Sequence, residues 1–504
     1  MIIRRSLTAA ALVLGLAGAS FAGVAQAEAP AAAAGPAAKI KQGALRGATV
    51  EGVETFLGIP YAAPPVGDLR WRPPAAAAGW SGQRDATKAG ASCQPARDGT
   101  AVEDCLFVNV ARPAGAMPGA KLPVLVWIHG GGFTIGSSTA AFGAETDGIQ
   151  FAKDGVITVS LSYRLGRAGW FAHPALTKEG PTGNYGLMDQ IAALKWVQAN
   201  IASFGGDPKN VTIAGESAGG ISVLYLMLAP DARGLFQKAI GESSFGRLEP
   251  TPLKAAEASG AEAAAKAGVT GDDAATAAAL RKLPLSAMPY TGPFTSRAGP
   301  IVDGRYVQTG IAQGFAAGKQ AKIPLLIGGN SNEASLFRPQ PAALDAIPEA
   351  RKAAAMAAFD PDGKGNKLQV VNDMTTRQYI TEPDRNVARL QSKAGQTVYL
   401  YYFSYVTPAK RASSLGAVHT AEIPYAFAGP KQKLAPEDQP LATAVNAYWA
   451  AFIKSGNPGA AGGPAWPKFN AAAESSMEFG ADGPTVRQHH LAKQLDWTEE
   501  GLAK

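Results

Sequence analysis

The sequence predicts an α/β protein organised around a large, mostly parallel sheet, and three observations predict it. Apolar runs of strand length, uninterrupted and rich in β-branched residues, recur at 123–128, 156–161, 211–214 and 323–327, the pattern of strands buried on both faces. Between the second and third runs, Ile191, Leu194, Val197 and Ile201 fall at helical spacing, and strand, helix, strand in that order implies parallel pairing. The third observation is composition: 58 Gly and 36 Pro in 504 residues, with 46% hydrophobic and 17% charged. That is a globular balance with many tight turns, which excludes a coiled coil or a simple helical bundle.

Taken in order, residues 1–27 read as a signal peptide. Arg4 and Arg5 form a charged n-region, Leu7 to Ala22 is an apolar run, and Ala25-Gln26-Ala27 is a small-residue cleavage site. The run is shorter than the ~20 residues needed to span a bilayer, so an exported, bacterial-type protein that is soluble after cleavage, periplasmic or extracellular, is expected. Residues 28–37 are an Ala/Pro-rich leader without periodicity, and 38–504 form one elaborated domain, since no repeat or Ser/Gly linker divides them. Short strands are expected at 53–57 and 397–406, flanking the four central runs, and an alanine-rich helical layer at 254–282. The formal charge of +7 includes Arg4 and Arg5, and no Lys/Arg cluster points to nucleic acid.

Export makes Cys93 and Cys105 informative, because they are the only cysteines and an oxidising compartment favours their pairing. Five histidines and two cysteines, with no HExxH, HxH or CxxC pattern, leave no metal site to expect, and no cofactor motif is present. His489 and His490 are expected at the surface, pointing apart in a strand.

Ligands of open parallel sheets bind beyond the carboxyl ends of the strands, and chemistry-bearing residues follow the apolar runs. After 211–214 comes Gly215-Glu216-Ser217-Ala218-Gly219-Gly220, then a helical apolar run to Leu228. A serine at a sharp strand-to-helix turn needs small neighbours two residues to either side, and its hydroxyl then stands exposed at a helix N-terminus. Such a hydroxyl needs a base, and the base an orienting acid. Of the three histidines beyond Ser217, His419 lies just past the 397–406 run in a loop of small residues, which makes it the candidate base. Sixteen carboxylates separate Ser217 from His419. Glu333, in the loop directly beyond 323–327, is favoured by position, with Asp303 its main competitor in an Asp-Gly turn. His129-Gly130-Gly131-Gly132-Phe133 follows 123–128 and suits an oxyanion-stabilising loop; no Gly-Lys-Ser/Thr follows it, as a phosphate loop would require. His129 itself reads as a brace for that loop.

These residues resemble the type-B carboxylesterase family of the α/β-hydrolase fold, which includes the cholinesterases and bacterial para-nitrobenzyl esterases. The likeness runs through Gly58 to Pro74 (GIPYAAPPVGDLRWRPP), Glu103 to Asn109 (EDCLFVN), the triple-glycine loop, Ser162 to Gly166 (SYRLG), Gly183 to Gln190 (GNYGLMDQ), Phe204 to Pro208 (FGGDP) and Gly215 to Gly220 (GESAGG). The resemblance implies Ser217 as nucleophile, Glu333 as acid and His419 as base, with Gly131, Gly132 and Ala218 as oxyanion donors and Cys93–Cys105 as the family's first disulfide. Ala334 and Phe107 depart from the residues usual at their positions. The implied activity is hydrolysis of small-molecule carboxylic esters, with amide, carbamate or thioester hydrolysis by the same triad as one alternative and a non-catalytic binding module as another. Phe133, Phe245 and Phe337 flank the motifs and are candidates for the substrate pocket; monomer and homodimer both stay open.

Overall fold

A computed structural model describes residues 35–93, 102–141, 144–288 and 298–502. The expected signal peptide and most of the leader lie outside the described residues. Eleven strands form the main sheet: β1 (Ala48–Val50), β2 (Val53–Pro60), β3 (Phe107–Pro113), β4 (Leu122–Ile128), β5 (Ile157–Leu161), β6 (Gly206–Glu216), β7 (Lys238–Glu242), β8 (Leu325–Asn330), β9 (Val398–Phe403), β10 (Ser476–Gly480) and β11 (Gly483–Arg487). Their spatial order is β11-β10-β9-β8-β7-β6-β4-β5-β3-β2-β1. From β10 across to β5 every pairing is parallel; β3, β2, β1 and β11 add antiparallel pairs at the two edges. The predicted central runs all become strands, and β4 is the one inserted between β5 and β6.

The continuous apolar runs are explained by cores on both faces. In β4, Val124, Val126 and Ile128 enter one core while Leu125 and Trp127 enter the other; in β8, Leu325 and Ile327 face one side and Leu326 the opposite. Period-two alternation of side chains demands apolar residues at every position when both faces are covered. Helices α1 (Tyr185–Asn200) and α2 (Ala218–Leu228) cover the first face, and α3 (Gln439–Ser455), with Trp449 and Phe452, covers the second. The alanine-rich stretch forms two helices, Leu253–Lys266 and Ala274–Lys282.

Several of the motifs turn out to be structural joints. Arg164 and Asp189 form a buried bidentate pair, Nε to Oδ2 at 2.8 Å and Nη2 to Oδ1 at 2.7 Å, locking the SYRLG turn to α1. Arg70 makes the same kind of fork on Glu103, and Gly58 N–H donates to Asn109 Oδ1 at 3.0 Å. Cys93 and Cys105 are joined in a disulfide, as the sequence implied.

Candidate functional site

At the end of β6 the chain reverses into α2 through Ser217, which has φ 56° and ψ −120°. A non-glycine residue held at positive φ is a strained position that the surroundings must enforce. Here Ser217 N–H donates to the Glu242 carbonyl at 2.9 Å, and its own carbonyl accepts from Ile221 N–H at 2.8 Å. The flanking glycines are needed for space: a Cβ on Gly219 would sit on the Ile128 carbonyl, and one on Gly215 would lie 2.6 Å from the Gly219 backbone and 2.8 Å from the Ile128 carbonyl. The Ser217 side chain makes no hydrogen bond among the described residues.

His419 and Glu333 are delivered by two loops stitched together. Asn332 N–H donates to the Ala417 carbonyl at 2.8 Å, Ser331 Oγ accepts from Ala417 N–H at 2.8 Å, and Ser335 Oγ accepts from His419 N–H at 3.0 Å. Glu333 Oε2 lies 2.5 Å from His419 Nδ1, while its Oε1 accepts from Ser243 Oγ at 2.6 Å and from Asn330 N–H at 2.7 Å. Thus the acid is held on both oxygens, and Glu333 rather than Asp303 is the carboxylate at the histidine. Asp303 instead accepts the backbone N–H groups of Arg305, Tyr306 and Val307, the turn role its Asp-Gly pair suggested.

The other ring nitrogen has an unforeseen neighbour. His419 Nε2 lies 2.9 Å from Glu216 Oε1, yet neither atom makes an aligned hydrogen bond. The imidazole therefore stands between two buried carboxylates. Burial opposes its charge, but Glu216 and Glu333 outweigh burial and hold its pKa well above the ordinary 6.5. Glu216 is drawn both ways: burial favours its protonated form and the imidazolium its ionised form. A histidine must be neutral to accept a proton, so with His419 as the candidate base activity is expected to fall as pH drops through this raised pKa. Glu216→Gln removes one of the two charges that raise it, and the acid limb of the kcat/KM profile on a p-nitrophenyl ester is expected to move to lower pH. An unmoved limb would show that Glu216 does not govern the base.

The triple-glycine loop lies against the elbow. A Cβ on Gly130 would come within 2.7 Å of the Glu216 carbonyl and 3.2 Å of Ser217 Cβ. Gly131 and Gly132 have φ of 106° and 57°, and among the described residues their N–H groups, like that of Ala218, have no acceptor. Free backbone donors in a loop packed on the elbow, and at the residue after its serine, are suited to a developing oxyanion. His129 braces the loop: its ring stacks on Tyr163 at 4.5 Å, Nδ1 bonds the Gly130 carbonyl at 2.8 Å, and burial pushes its pKa down to about 4, so it is neutral.

Of the three predicted pocket phenylalanines, Phe245 lies edge-on to His419 with ring centres 6.4 Å apart, and Phe337 is a further 6.4 Å on. Phe337 stacks on the half-exposed Tyr379 at 4.4 Å, extending the aromatic wall outward. Phe133 is buried against Trp170 with ring centres 4.6 Å apart, on the oxyanion side. His489 and His490 follow β11 instead of lying in it, a correction to the sequence reading. His489 adopts φ 50° and is exposed, whereas His490 turns inward onto Tyr402, 5.0 Å between ring centres. The positive φ breaks the strand alternation on which the expectation rested.

With this geometry established, comparison with known proteins decides the family. The model of the Carboxylesterase family matches residues 34–360 and 345–498. The chain belongs to the carboxylesterase family. It is 37% identical over 483 residues to the fumonisin B1 esterase of Sphingopyxis macrogoltabida, covering 88% of this chain and 86% of that protein. It is 35% identical over 449 residues to the para-nitrobenzyl esterase of Bacillus subtilis (strain 168), covering 82% and 89%. The crystal structure of a Geobacillus stearothermophilus carboxylesterase at pH 6.2 superposes with a TM-score of 0.79 at 32% identity, covering 92% of this chain and 99% of that one. The fold of this carboxylesterase is the α/β-hydrolase fold, and the protein is a carboxylic ester hydrolase.

Sequence reasoning missed Glu216, Ser243 and Glu242. Glu216 stood inside the quoted motif, and its charge beside the serine was the signal to read. Glu242 ends β7 and Ser243 follows it, with no pattern of their own; only the fold brings Ser243 to Glu333 and Glu242 Oε1 within 2.7 Å of Trp449 Nε1.

Proposed function

We propose that this carboxylesterase is exported and works through an acyl-enzyme on Ser217, with His419 as general base and acid and Glu333 orienting it. The observation that carries the reading is the 2.5 Å contact between Glu333 and His419 Nδ1 beside a serine at a strained strand-to-helix elbow. Glu333 keeps the proton on Nδ1, so Nε2, which also faces Glu216 Oε1, is the nitrogen that takes the Ser217 proton as the hydroxyl attacks the ester carbonyl. The carbonyl oxygen gathers charge and rests on the N–H groups of Gly131, Gly132 and Ala218. His419 then protonates the departing alkoxide, and water repeats the cycle on the acyl-enzyme.

Substrates are small-molecule esters carrying an apolar or aryl group, read from the wall of Phe245, Phe337 and Tyr379. The names of the fumonisin and para-nitrobenzyl esterases support bulky esters as the class. Export is supported by the charged and apolar N-terminal run and by the disulfide between the only two cysteines, which an oxidising compartment sustains.

A fluorophosphonate is expected to label Ser217 alone, located by peptide mapping, with turnover of p-nitrophenyl esters over a series of acyl lengths. An adduct on another residue, or none in a properly folded protein, would overturn the nucleophile assignment. Matched ester and amide substrates should favour the ester.

A further inference from the structure

Near Glu333 lies a small, partly open cavity of about 20 Å³ between β8, β9, β10, the last helix and the start of the helix Glu382–Lys393. Gly328 and Gly329 form its floor. A Cβ on Gly329 would lie 2.9 Å from Glu333 Oε1 and 2.6 Å from Ile380, so only a glycine separates the cavity from the acid. Five polar atoms on lining residues are buried and find no partner among the described residues: Thr381 Oγ1, Asp384 Oδ2, Arg385 Nε, Ser476 Oγ and His490 Nε2. Leaving such a group unsatisfied is costly, and five on residues around one cavity make a built site.

The chemistry of the lining selects the occupant. Arg385 Nε only donates, while burial pushes the Asp384 carboxyl well above the ordinary carboxylate range, so that its Oδ2, like the two hydroxyls of Thr381 and Ser476, can donate or accept. A metal cation would face the Arg385 guanidinium, whose other nitrogens already pair with Asp496 at 2.7 Å and Glu499 at 2.9 Å. An anion would face Asp384 and Glu474. Water both donates and accepts, and a buried water makes about three hydrogen bonds and needs roughly 10–15 Å³. Both the five atoms and the volume therefore call for one or two waters.

Asp384 connects this cavity to the triad. Its Oδ1 accepts from Ser244 Oγ at 2.7 Å. Ser244 sits between Ser243, which bonds Glu333, and Phe245, which meets the His419 ring. Ser243 and Phe245 both have φ 49°, so this turn stores strain and persists only if it is tied down. We propose that the cavity is a buried water site whose waters complete Asp384, which through Ser244 holds the strained turn that positions the acid and the aromatic wall. Asp384 is on this account a positioning residue, and the inference rests on the reading of Glu333 as the acid.

A high-resolution crystal structure of the full protein tests the site directly, independently of activity. One or two waters are expected within hydrogen-bond distance of Asp384 Oδ2 and of at least one of Ser476, Thr381 and His490; a dry cavity would overturn the proposal. Asp384→Leu and, as the milder variant should that one not fold, Ser244→Ala are expected to lower kcat by roughly 10- to 100-fold. KM should change much less, and Asp384→Asn should recover most of the loss. Wild-type kcat in folded Ser244→Ala, or a loss confined to thermal stability, would overturn the positioning role. Failure of the wild type to be labelled at Ser217 would instead strike the triad reading, leaving the water result to stand by itself.

Discussion

Replacing Ser217 with alanine is expected to lower kcat on ester substrates by about 10⁵- to 10⁶-fold with the fold intact. The side chain makes no hydrogen bond, so its removal strands no partner. The elbow is held by the backbone, through the Glu242 carbonyl and Ile221 N–H, and these bonds survive the substitution. Stability should change by no more than about 0.5–1 kcal/mol, seen as a nearly unmoved thermal midpoint, while fluorophosphonate labelling disappears. Residual turnover within tenfold of wild type would place the nucleophile elsewhere.

The second large effect is expected at Glu333. Asn330 N–H can only donate, so in Glu333→Gln the amide oxygen must take the place of Oε1, where it also accepts from Ser243. The amide NH2 is thereby turned toward His419 Nδ1, where the carboxylate oxygen stood at 2.5 Å. Facing a donor, Nδ1 must give up its proton, and the ring is forced into the tautomer protonated on Nε2, the wrong one for a base. A loss of about 10³- to 10⁴-fold in kcat is expected, smaller than at Ser217 because the nucleophile and the backbone donors remain. Removing the carboxylate charge also lessens the pull that raises the histidine's pKa, so whatever activity remains should show its acid limb at lower pH. The comparison of kcat in Glu333→Gln and Ser217→Ala on one ester, with thermal midpoints for both, checks the order of the two losses.

Much of this was legible along the chain. Ser217 and its glycines lie within six residues, and steric crowding at a strand-to-helix turn is a local demand that leaves a local pattern. The oxyanion loop is likewise contiguous. The central strands announced themselves because a sheet covered on both faces needs an apolar residue at every position, as Val124 to Ile128 show. Glu333 could be favoured over Asp303 by its place after a strand, but only the hydrogen bonds of each carboxylate separated the partner of His419 from a turn brace.

What the tertiary structure decided were the relations between segments far apart in sequence. It placed β4 between β5 and β6, brought Ser243 to Glu333 across 90 residues, set Glu216 against the second nitrogen of His419, and turned His490 inward onto Tyr402. It also gathered Thr381, Asp384, Tyr401 and Ser476 around one cavity. The physical reason is range. Turn sterics, helical periodicity and strand alternation act between neighbours in the chain and are written there, whereas electrostatics and hydrogen bonding act between neighbours in space. The amino-acid order thus determined the fold class, the elbow, the glycine loop and the candidate triad; the charge state of its base and the support of its acid were settled only by packing.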